Sequence, residues 1–189
     1  MRMDYGIVVW FTGLPGSGKT TIVRELEKIL RSASLRVEVL DGDEVRKWLS
    51  PDSGYSRSDR EVHIRRVAHV AEILARNGVI VLVSLVSPYI SSRSYARSLI
   101  SRFIEVYTKC PLEVCISRDP KGLYKKALEG KIDNMTGLQD VYEEPENPEL
   151  ILETDKYSVK ECVLRVLQHM VWTGHLSEDV LKRFDERNV

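Results

Sequence analysis

The sequence predicts an α/β fold in which a mostly parallel central sheet is flanked by helices on both faces. Three observations support this fold class. Short apolar runs alternate with segments of helical period along the chain, as in repeated βα units. The runs are apolar at nearly every position, as expected of strands that are buried on both faces. The 189 residues are 43% hydrophobic and 30% charged, which is typical of one sizeable globular domain.

The elements follow one another in a βα rhythm. The strands are runs such as IVVWF, VIVLVSLV and FIEVYT, and the helices carry apolar residues every three or four positions. The longest predicted helix begins with a capping box of Ser58 and Glu61 and ends at Asn77-Gly78. In chain order, we predict strand 7–11, helix 20–31, strand 36–40, helix 58–77, strand 79–86, strand 103–108, strand 150–154 and helix 159–171.

These elements predict a single domain over residues 1–175. Between Asp119 and Pro148 the chain is enriched in Lys, Gly, Asp, Glu and Pro, and we expect a mobile lid over about residues 119–137. Residues 176–189 are predicted to be a polar C-terminal tail that forms a short peripheral helix.

Composition argues against several classes of partner. Lys+Arg and Asp+Glu are equal at 28 each, so no overall basic field predicts a nucleic-acid partner. The longest apolar run is too short to span a bilayer, and we expect no membrane association. The three cysteines fit neither a zinc spacing nor a disulfide framework, which favours a reducing, cytoplasmic location.

The stretch GLPGSGKT follows the first strand and opens the first helix, the context that a phosphate-binding loop (P-loop) requires. Its glycines allow consecutive backbone N–H groups to turn toward an anion, and the helix N-terminus adds a positive dipole. Lys19 is expected to reach the β- and γ-phosphates of ATP, and the Thr20 hydroxyl to ligate Mg²⁺. The predicted ATP-binding residues are Gly13, Leu14, Pro15, Gly16, Ser17, Gly18, Lys19, Thr20 and Thr21.

The second strand ends in LDGD, whose two carboxylates suit a P-loop kinase of a small molecule. One of the two carboxylates, Asp41 or Asp43, can hold metal-bound water, and the other can accept a proton from an incoming hydroxyl. A guanine-reading Asn/Thr-Lys-x-Asp segment is missing, and VIVLVS ends in Ser84 rather than in a Walker-B aspartate. Two alternatives stay open: a kinase of another small hydroxyl acceptor, such as a sugar acid or a nucleotide, and a non-catalytic nucleotide-binding module.

Five blocks of the chain, in order, resemble the adenylylsulfate kinase family. They are GLPGSGKTT, LDGDEVR, the segment from GYSRSDR to LVSPY, FIEVYTKCPLEVCISRDPKGLYKKALEGKI and TGLQDVYEEPENPELILETD. The resemblance implies transfer of the γ-phosphate of ATP to the 3′-hydroxyl of adenosine 5′-phosphosulfate during sulfate activation. It also implies a homodimer, to which residues 159–171 could offer an apolar face.

The resemblance also implies site residues. Tyr55 occupies a position where an aromatic ring stacks on the acceptor adenine, and Lys121 heads the predicted lid. Guanidinium groups suit the phosphosulfate because their fork geometry matches two oxygen atoms. The predicted catalytic residues are Lys19, Asp41, Asp43 and Ser87, although no neighbouring base is visible to activate Ser87. The predicted acceptor-binding residues are Asp43, Arg46, Tyr55, Arg60, His63, Val86, Ser87, Lys121, Asn134 and Met135.

Three of these residues depart clearly from the family pattern, and Tyr55, where the family usually has phenylalanine, is a milder change. His63 stands where the family usually has asparagine, and Asn134-Met135 replace a Gly-Phe pair. The sandwich around the acceptor adenine is therefore expected to lose one ring to a thioether. On this reasoning Met135→Phe is predicted to tighten acceptor binding by ~1 kcal/mol.

Overall fold

The structure, a computed structural model, describes residues 6–186. Within them, eight helices and five strands alternate much as the sequence predicts. In chain order the elements are β1 (Ile7–Thr12), α1 (Lys19–Ser32), β2 (Val37–Asp41), α2 (Gly42–Leu49), α3 (Arg57–Arg76), β3 (Ile80–Ser84), α4 (Ile90–Leu99), β4 (Phe103–Lys109), α5 (Leu112–Arg118), α6 (Leu123–Leu128), β5 (Leu150–Glu153), α7 (Val159–Trp172) and α8 (Glu178–Glu186).

The strands form one sheet in the order β2-β3-β1-β4-β5. Each neighbouring pair is parallel. The register places Phe11 and Asp41 on either side of Ser84, at the carboxyl ends of three adjacent strands. Ligands bind outside this edge in open parallel sheets, so the topology brings the phosphate loop and the Asp41–Asp43 turn together.

The two faces of the sheet pack against different helices. Ile7, Val9 and Phe11 of β1 belong to the core cluster that contains buried residues of α1, α7 and α8. Val8 and Trp10 belong to the cluster on the other face, with buried residues of α2, α3 and α4. All six residues of β1 are buried. This central strand is therefore a rigid support for the loop that follows it.

The polar tail that the sequence predicts after residue 175 contains a helix that packs on the core. Leu176, Val180 and Phe184 are at most 9% exposed and belong to the cluster of α1 and α7. Leu176 lies just before α8, and Val180 and Phe184 are four residues apart and share one face of that helix. The sequence predicts a short peripheral helix in this tail, and α8 is a helix there, but the polar composition hid the apolar stripe that packs on the core.

The long helix is confirmed, but its cap lies two residues earlier than predicted. Helix α3 begins at Arg57, and the side chain of Ser56 accepts a hydrogen bond from the backbone N–H of Asp59 at 3.2 Å. The Asp59 carboxylate in turn accepts from the Ser56 N–H, also at 3.2 Å, which completes a capping box. The Ser58–Glu61 box is wrong because both spacings fit the motif equally well in sequence.

The short helices α2, α4, α5 and α6 were not predicted. Each has ten residues or fewer, which is too short for a clear apolar period. No helix within residues 6–186 is long and apolar enough to cross a membrane. Cys110, Cys115 and Cys162 are buried and form no disulfide with one another.

Candidate active site

The phosphate loop connects the buried strand β1 to helix α1. Gly13, with φ 149°, and Gly18, with φ 92°, have backbone conformations that favour glycine. A Cβ atom at Gly13 would lie 2.4 Å from Thr108 Oγ1, so a side chain has no room there. Gly18 is the N-cap of α1 and contributes no side-chain hydrogen bond. The first N–H groups of the helix are therefore available to an anion.

Lys19 lies inside this loop. Its ammonium donates hydrogen bonds to the carbonyl oxygens of Gly13 at 2.9 Å and Leu14 at 2.8 Å. The residue is only 8% exposed, and this burial lowers the pKa of Lys19 from 10.5 to about 8. The loop thus holds a partly desolvated positive charge that a phosphate group would stabilise.

The loop is braced from several sides. Ser17 Oγ lies 2.9 Å from Thr108 Oγ1 on β4. Tyr124, on α6, donates to the Pro15 carbonyl at 2.9 Å. Leu14 packs against the cluster of buried residues beneath α5 and α6. The predicted ATP-binding stretch is therefore linked to the segment at 119–137, the predicted lid.

An oxygen-rich corner lies where α1 meets β2 and β3. Thr20 Oγ1 donates to Asp41 Oδ2 at 2.9 Å and lies 3.1 Å from Ser84 Oγ. Asp41 also accepts from the Asp43 N–H at 3.2 Å and so caps α2. Within the described residues, no group of three or more His, Cys, Asp and Glu side chains could hold a metal. A hydroxyl and a single carboxylate nevertheless suit Mg²⁺, which takes its remaining oxygen ligands from water and phosphates.

Asp43 extends from the first turn of α2 and forms an ion pair with Lys121 of the 119–137 segment. Both side chains are more than half exposed, 63% for Asp43 and 53% for Lys121. Partial burial alone would lower the pKa of Lys121, but the hydrogen bond and charge of Asp43 outweigh it and raise that pKa. The sequence places these two residues at one acceptor site, and the structure brings them into contact.

Three further residues that the sequence assigns to the acceptor site lie together. Tyr55 is 56% exposed, and its ring centroid lies 4.7 Å from the guanidinium carbon of Arg46 and 5.5 Å from that of Arg60. Arg46 donates to the Gly54 carbonyl at 2.7 Å, and Arg60 to the Tyr55 carbonyl at 3.0 Å. An exposed ring between two guanidinium groups can hold a planar base that carries an anionic tail.

Asn134 joins this group, whereas Met135 faces away from it. Arg60 donates to the Asn134 carbonyl at 2.7 Å. Met135 is only 6% exposed and belongs to the cluster of Cys115, Tyr124 and Ala127. In this structure the apolar Met135 side chain is buried in that cluster, and a contact between Met135 and the acceptor base stays a prediction.

His63 is also buried, at 2% exposure, near the α2–α3 junction. Its Nδ1 lies 2.8 Å from Ser50 Oγ. Burial and the nearby charges of Arg46 and Arg66 lower the pKa of His63 to about 4. The imidazole is therefore neutral at physiological pH. Its Nε2 is buried and has no hydrogen-bond partner among the described residues.

Ser87 does not have the surroundings of a nucleophile. It is 2% exposed, and its hydroxyl accepts a hydrogen bond from the Trp10 indole at 2.9 Å. Its carbonyl accepts from Arg93 at 2.5 Å, and the carbonyl of Val86 accepts from Thr12 at 2.7 Å. Ser87 and Val86 thus shape the backbone after β3. The buried Ser87 hydroxyl supports a structural role, and a catalytic role for Ser87 stays a prediction.

Sequence reasoning missed two residues beside the phosphate loop. Arg118, at the end of α5, donates to the Thr154 carbonyl at 2.7 Å. Thr154 Oγ1 in turn donates to the Ser17 carbonyl at 2.8 Å. Thr154 directly follows β5. Because ligands bind at the carboxyl ends of parallel strands, this position could have indicated Thr154 as a site residue.

The fold and this geometry define a P-loop kinase that acts on a small molecule. The adenylylsulphate kinase family matches residues 5–153. Two relatives named as adenylyl-sulfate kinases support the match. The one from Halothermothrix orenii is 49% identical over 96% of this chain and 99% of its own length. The probable one from Archaeoglobus fulgidus is 55% identical over 79% of this chain and 96% of its own.

A solved structure agrees with these relatives. The adenylylsulfate kinase (APS kinase) of Mycobacterium tuberculosis was solved in complex with AMPPNP and APS (adenosine 5′-phosphosulfate). It superposes on this structure with a TM-score of 0.85 and is 41% identical in sequence. The match covers 88% of this chain and 98% of that one. The chain belongs to the adenylylsulfate kinase family, and it is an ATP-dependent kinase.

Proposed function

We propose that this protein transfers the γ-phosphate of ATP to the 3′-hydroxyl of adenosine 5′-phosphosulfate. The observation that carries the proposal is the pair of sites at one edge of the sheet. The phosphate loop with Lys19 suits a nucleoside triphosphate. The Tyr55 ring between Arg46 and Arg60 suits a second, anionic nucleotide. Family membership supports the assignment of both ligands.

On the donor side, Lys19 would exchange its two carbonyl partners for the β- and γ-phosphate oxygens. That exchange gives its buried charge an anionic partner and also orients the γ-phosphate. The Thr20 hydroxyl and Asp41, the latter through bound water, would hold Mg²⁺, which neutralises charge that develops on the phosphates. Arg118 and Thr154 lie next to the loop, and we propose that they flank the donor base.

On the acceptor side, Asp43 would accept the proton of the 3′-hydroxyl, and Asp41 holds the turn that presents it. Lys121 must then leave Asp43 or share it with the acceptor, because the two side chains are paired in this structure. We propose that residues 119–137 move when the acceptor binds, so that water is excluded and both nucleotides are aligned.

The decisive experiment compares acceptors side by side. The protein is incubated with labelled ATP, Mg²⁺ and either adenosine 5′-phosphosulfate, AMP, gluconate or no acceptor, and the products are identified. We expect label to be transferred to adenosine 5′-phosphosulfate at a rate at least about tenfold above that with AMP, which lacks the sulfate that a guanidinium group can bind. Preferred labelling of gluconate would favour a sugar-acid kinase. ATP turnover that is independent of any acceptor would contradict both.

We also propose a homodimer. Ile151, on the edge strand β5, is 50% exposed, and Trp172, at the end of α7, is 82% exposed. These apolar side chains support association at that edge. A related adenylylsulfate kinase from Thiobacillus denitrificans is hexameric, which supports self-association of this chain. Light scattering on the protein and on Trp172→Glu tests the proposal. We expect a dimer that the variant weakens. The cytoplasmic location stays a prediction.

A further inference from the structure

Arg60 is held from one side by three oxygen atoms. Its Nε donates to the Tyr55 carbonyl at 3.0 Å, and its Nη2 donates to the Asn134 carbonyl at 2.7 Å. The Asp140 carboxylate lies 3.6 Å from the same Nε and forms an ion pair with it. The side chains of this pair are only 12% and 20% exposed, so water screens the attraction less than at an open surface.

These contacts leave one edge of the guanidinium available. Nε and Nη2 form its side-on edge, which the carbonyls of Tyr55 and Asn134 occupy. Within the described residues, Nη1 makes no hydrogen bond to another group. The end-on edge, formed by Nη1 and the outer hydrogen of Nη2, can therefore bind two oxygen atoms of one anion.

Asp140 is itself anchored independently of Arg60. Its Oδ2 accepts a hydrogen bond from the Tyr89 hydroxyl at 2.6 Å, and its Oδ1 accepts from the Val141 N–H at 3.0 Å. Its carbonyl accepts from the Gly137 N–H at 2.8 Å, which closes a tight turn. The carboxylate position is thus set by two separate parts of the chain, the loop after β3 and the turn at 137–140.

We propose that Asp140 is a positioning residue that orients Arg60 toward the anionic group of the acceptor; this inference rests on the proposed function. The Asp140 carboxylate attracts the guanidinium from its side-on edge and turns the end-on edge toward the acceptor site. An anion bound on the far edge lies farther from Asp140 than the guanidinium does, and Coulomb repulsion weakens with distance. Orientation of Arg60 therefore outweighs repulsion of the acceptor.

Asp140→Asn tests this role, because it removes the charge while keeping an oxygen that can accept from Tyr89. We expect the KM for adenosine 5′-phosphosulfate to rise about tenfold, while kcat and the KM for ATP stay within about twofold. Glu143→Gln is the matched control. Glu143 lies on the same segment and pairs with Arg57 at 3.6 Å, so the acceptor KM should change less than about twofold.

A double-mutant cycle separates positioning from general folding effects. If Asp140 acts through Arg60, then Asp140→Asn should have no further effect on the acceptor KM in an Arg60→Ala background. If the fold-increases in acceptor KM of the two single variants multiply in the double variant, the inference is overturned. An unchanged acceptor KM in Asp140→Asn would also overturn it. If wild-type protein does not phosphorylate adenosine 5′-phosphosulfate at all, the proposed function has failed instead.

A second variant covers the case in which Asp140→Asn does not fold. Tyr89→Phe keeps the Asp140 charge but removes the hydroxyl that anchors it. We expect an acceptor KM about threefold higher, with the KM for ATP unchanged, since the carboxylate is less well placed. An acceptor KM equal to that of the wild type in this variant would contradict the positioning role.

Discussion

The donor half and the acceptor half of the site are built in different ways. The donor half is a continuous loop between β1 and α1, and its main contacts are backbone groups and buried side chains; Ser17 is fully buried and Lys19 is 8% exposed. The acceptor half is assembled from α2, the loop before α3, α3 itself and residues 119–137. Several of its side chains are open to solvent, such as Tyr55, which is 56% exposed, and Asp43, whose side chain is 63% exposed.

This difference predicts how each half tolerates change. A backbone cradle supported by the central strand is preformed, and altering it should affect transfer to any acceptor. Exposed side chains held by ion pairs, such as Asp43 with Lys121, form an adjustable surface that closes on its ligand. Substitutions in the donor half should therefore lower kcat with any acceptor. Most substitutions in the acceptor half should raise only the KM for the acceptor.

The largest effect is expected in the donor half, from Lys19→Ala. Loss of the ammonium that would contact the β- and γ-phosphates should lower kcat by about 10³-fold or more. The melting temperature should not fall, because the buried charge is costly to the folded protein, as its lowered pKa indicates. Lys28→Ala, at an exposed position on the same helix, is the control. Near-normal turnover in Lys19→Ala would contradict the role of the loop.

Asp43→Asn should have the next largest effect and is the exception on the acceptor side. Removing the proton acceptor should lower kcat by about 10²-fold and leave the KM for ATP within about twofold. Glu44→Gln is a matched control, because Glu44 is the next residue and its side chain is 66% exposed. Equal losses in the two variants, measured as initial rates of product formation, would show that only the local negative charge matters.

A pH series should separate the two halves without any mutation. With a pKa of about 8, Lys19 is charged in the free protein below pH 8 and neutral above it. ATP binding needs the ammonium, so binding above pH 8 must take up a proton, and the KM for ATP should rise up to about tenfold by pH 9. Lys121, whose pKa is raised, keeps its charge over this range, so the acceptor KM should stay nearly constant. Steady-state kinetics measure the two KM values across the pH series, and calorimetry in two buffers measures the proton uptake on ATP binding.

Tyr55→Ala should have a smaller effect that is confined to the acceptor. Loss of one stacking contact should raise the acceptor KM about fivefold, with kcat and the KM for ATP nearly unchanged. Tyr55→Phe should behave as the wild type, since the ring and not the hydroxyl is used. Trp48→Ala removes another exposed aromatic side chain of this region and serves as the control. A rise in the KM for ATP would show that the two halves are not independent.

The same contrast explains what could be predicted from the sequence. The donor half lies within residues 13–21, where spacing along the chain fixes the geometry, and the structure places its loop between a strand and a helix as predicted. The parallel sheet is confirmed for the same reason, since each strand is a local apolar run. The burial of Ser87 and Met135 could not be predicted, because it depends on partners far away in the chain, such as Trp10 for Ser87.

The acceptor half could be predicted only in part. The family motifs indicated Asp43, Arg46, Tyr55, Arg60 and Lys121, and the structure brings Asp43 to Lys121 and both arginines to Tyr55. Asp140 was missed because its contact with Arg60 joins positions that lie far apart in the sequence. A carboxylate in a polar loop gives no local signal of such a pairing.

Met135→Phe should have the smallest effect on kinetics and tests whether the acceptor half is as adjustable as its exposure indicates. Because Met135 is buried beside Tyr124, a larger ring should overpack that cluster and lower the free energy of unfolding by about 1–3 kcal/mol. The acceptor KM should change less than about twofold, contrary to the tightening that the sequence predicts. Met135→Leu, which conserves volume, should keep the stability within about 1.5 kcal/mol. Denaturant unfolding measures the stability, and titration with the acceptor measures its affinity. Tighter acceptor binding by Met135→Phe with unchanged stability would mean that residue 135 turns toward the acceptor base when the segment at 119–137 closes.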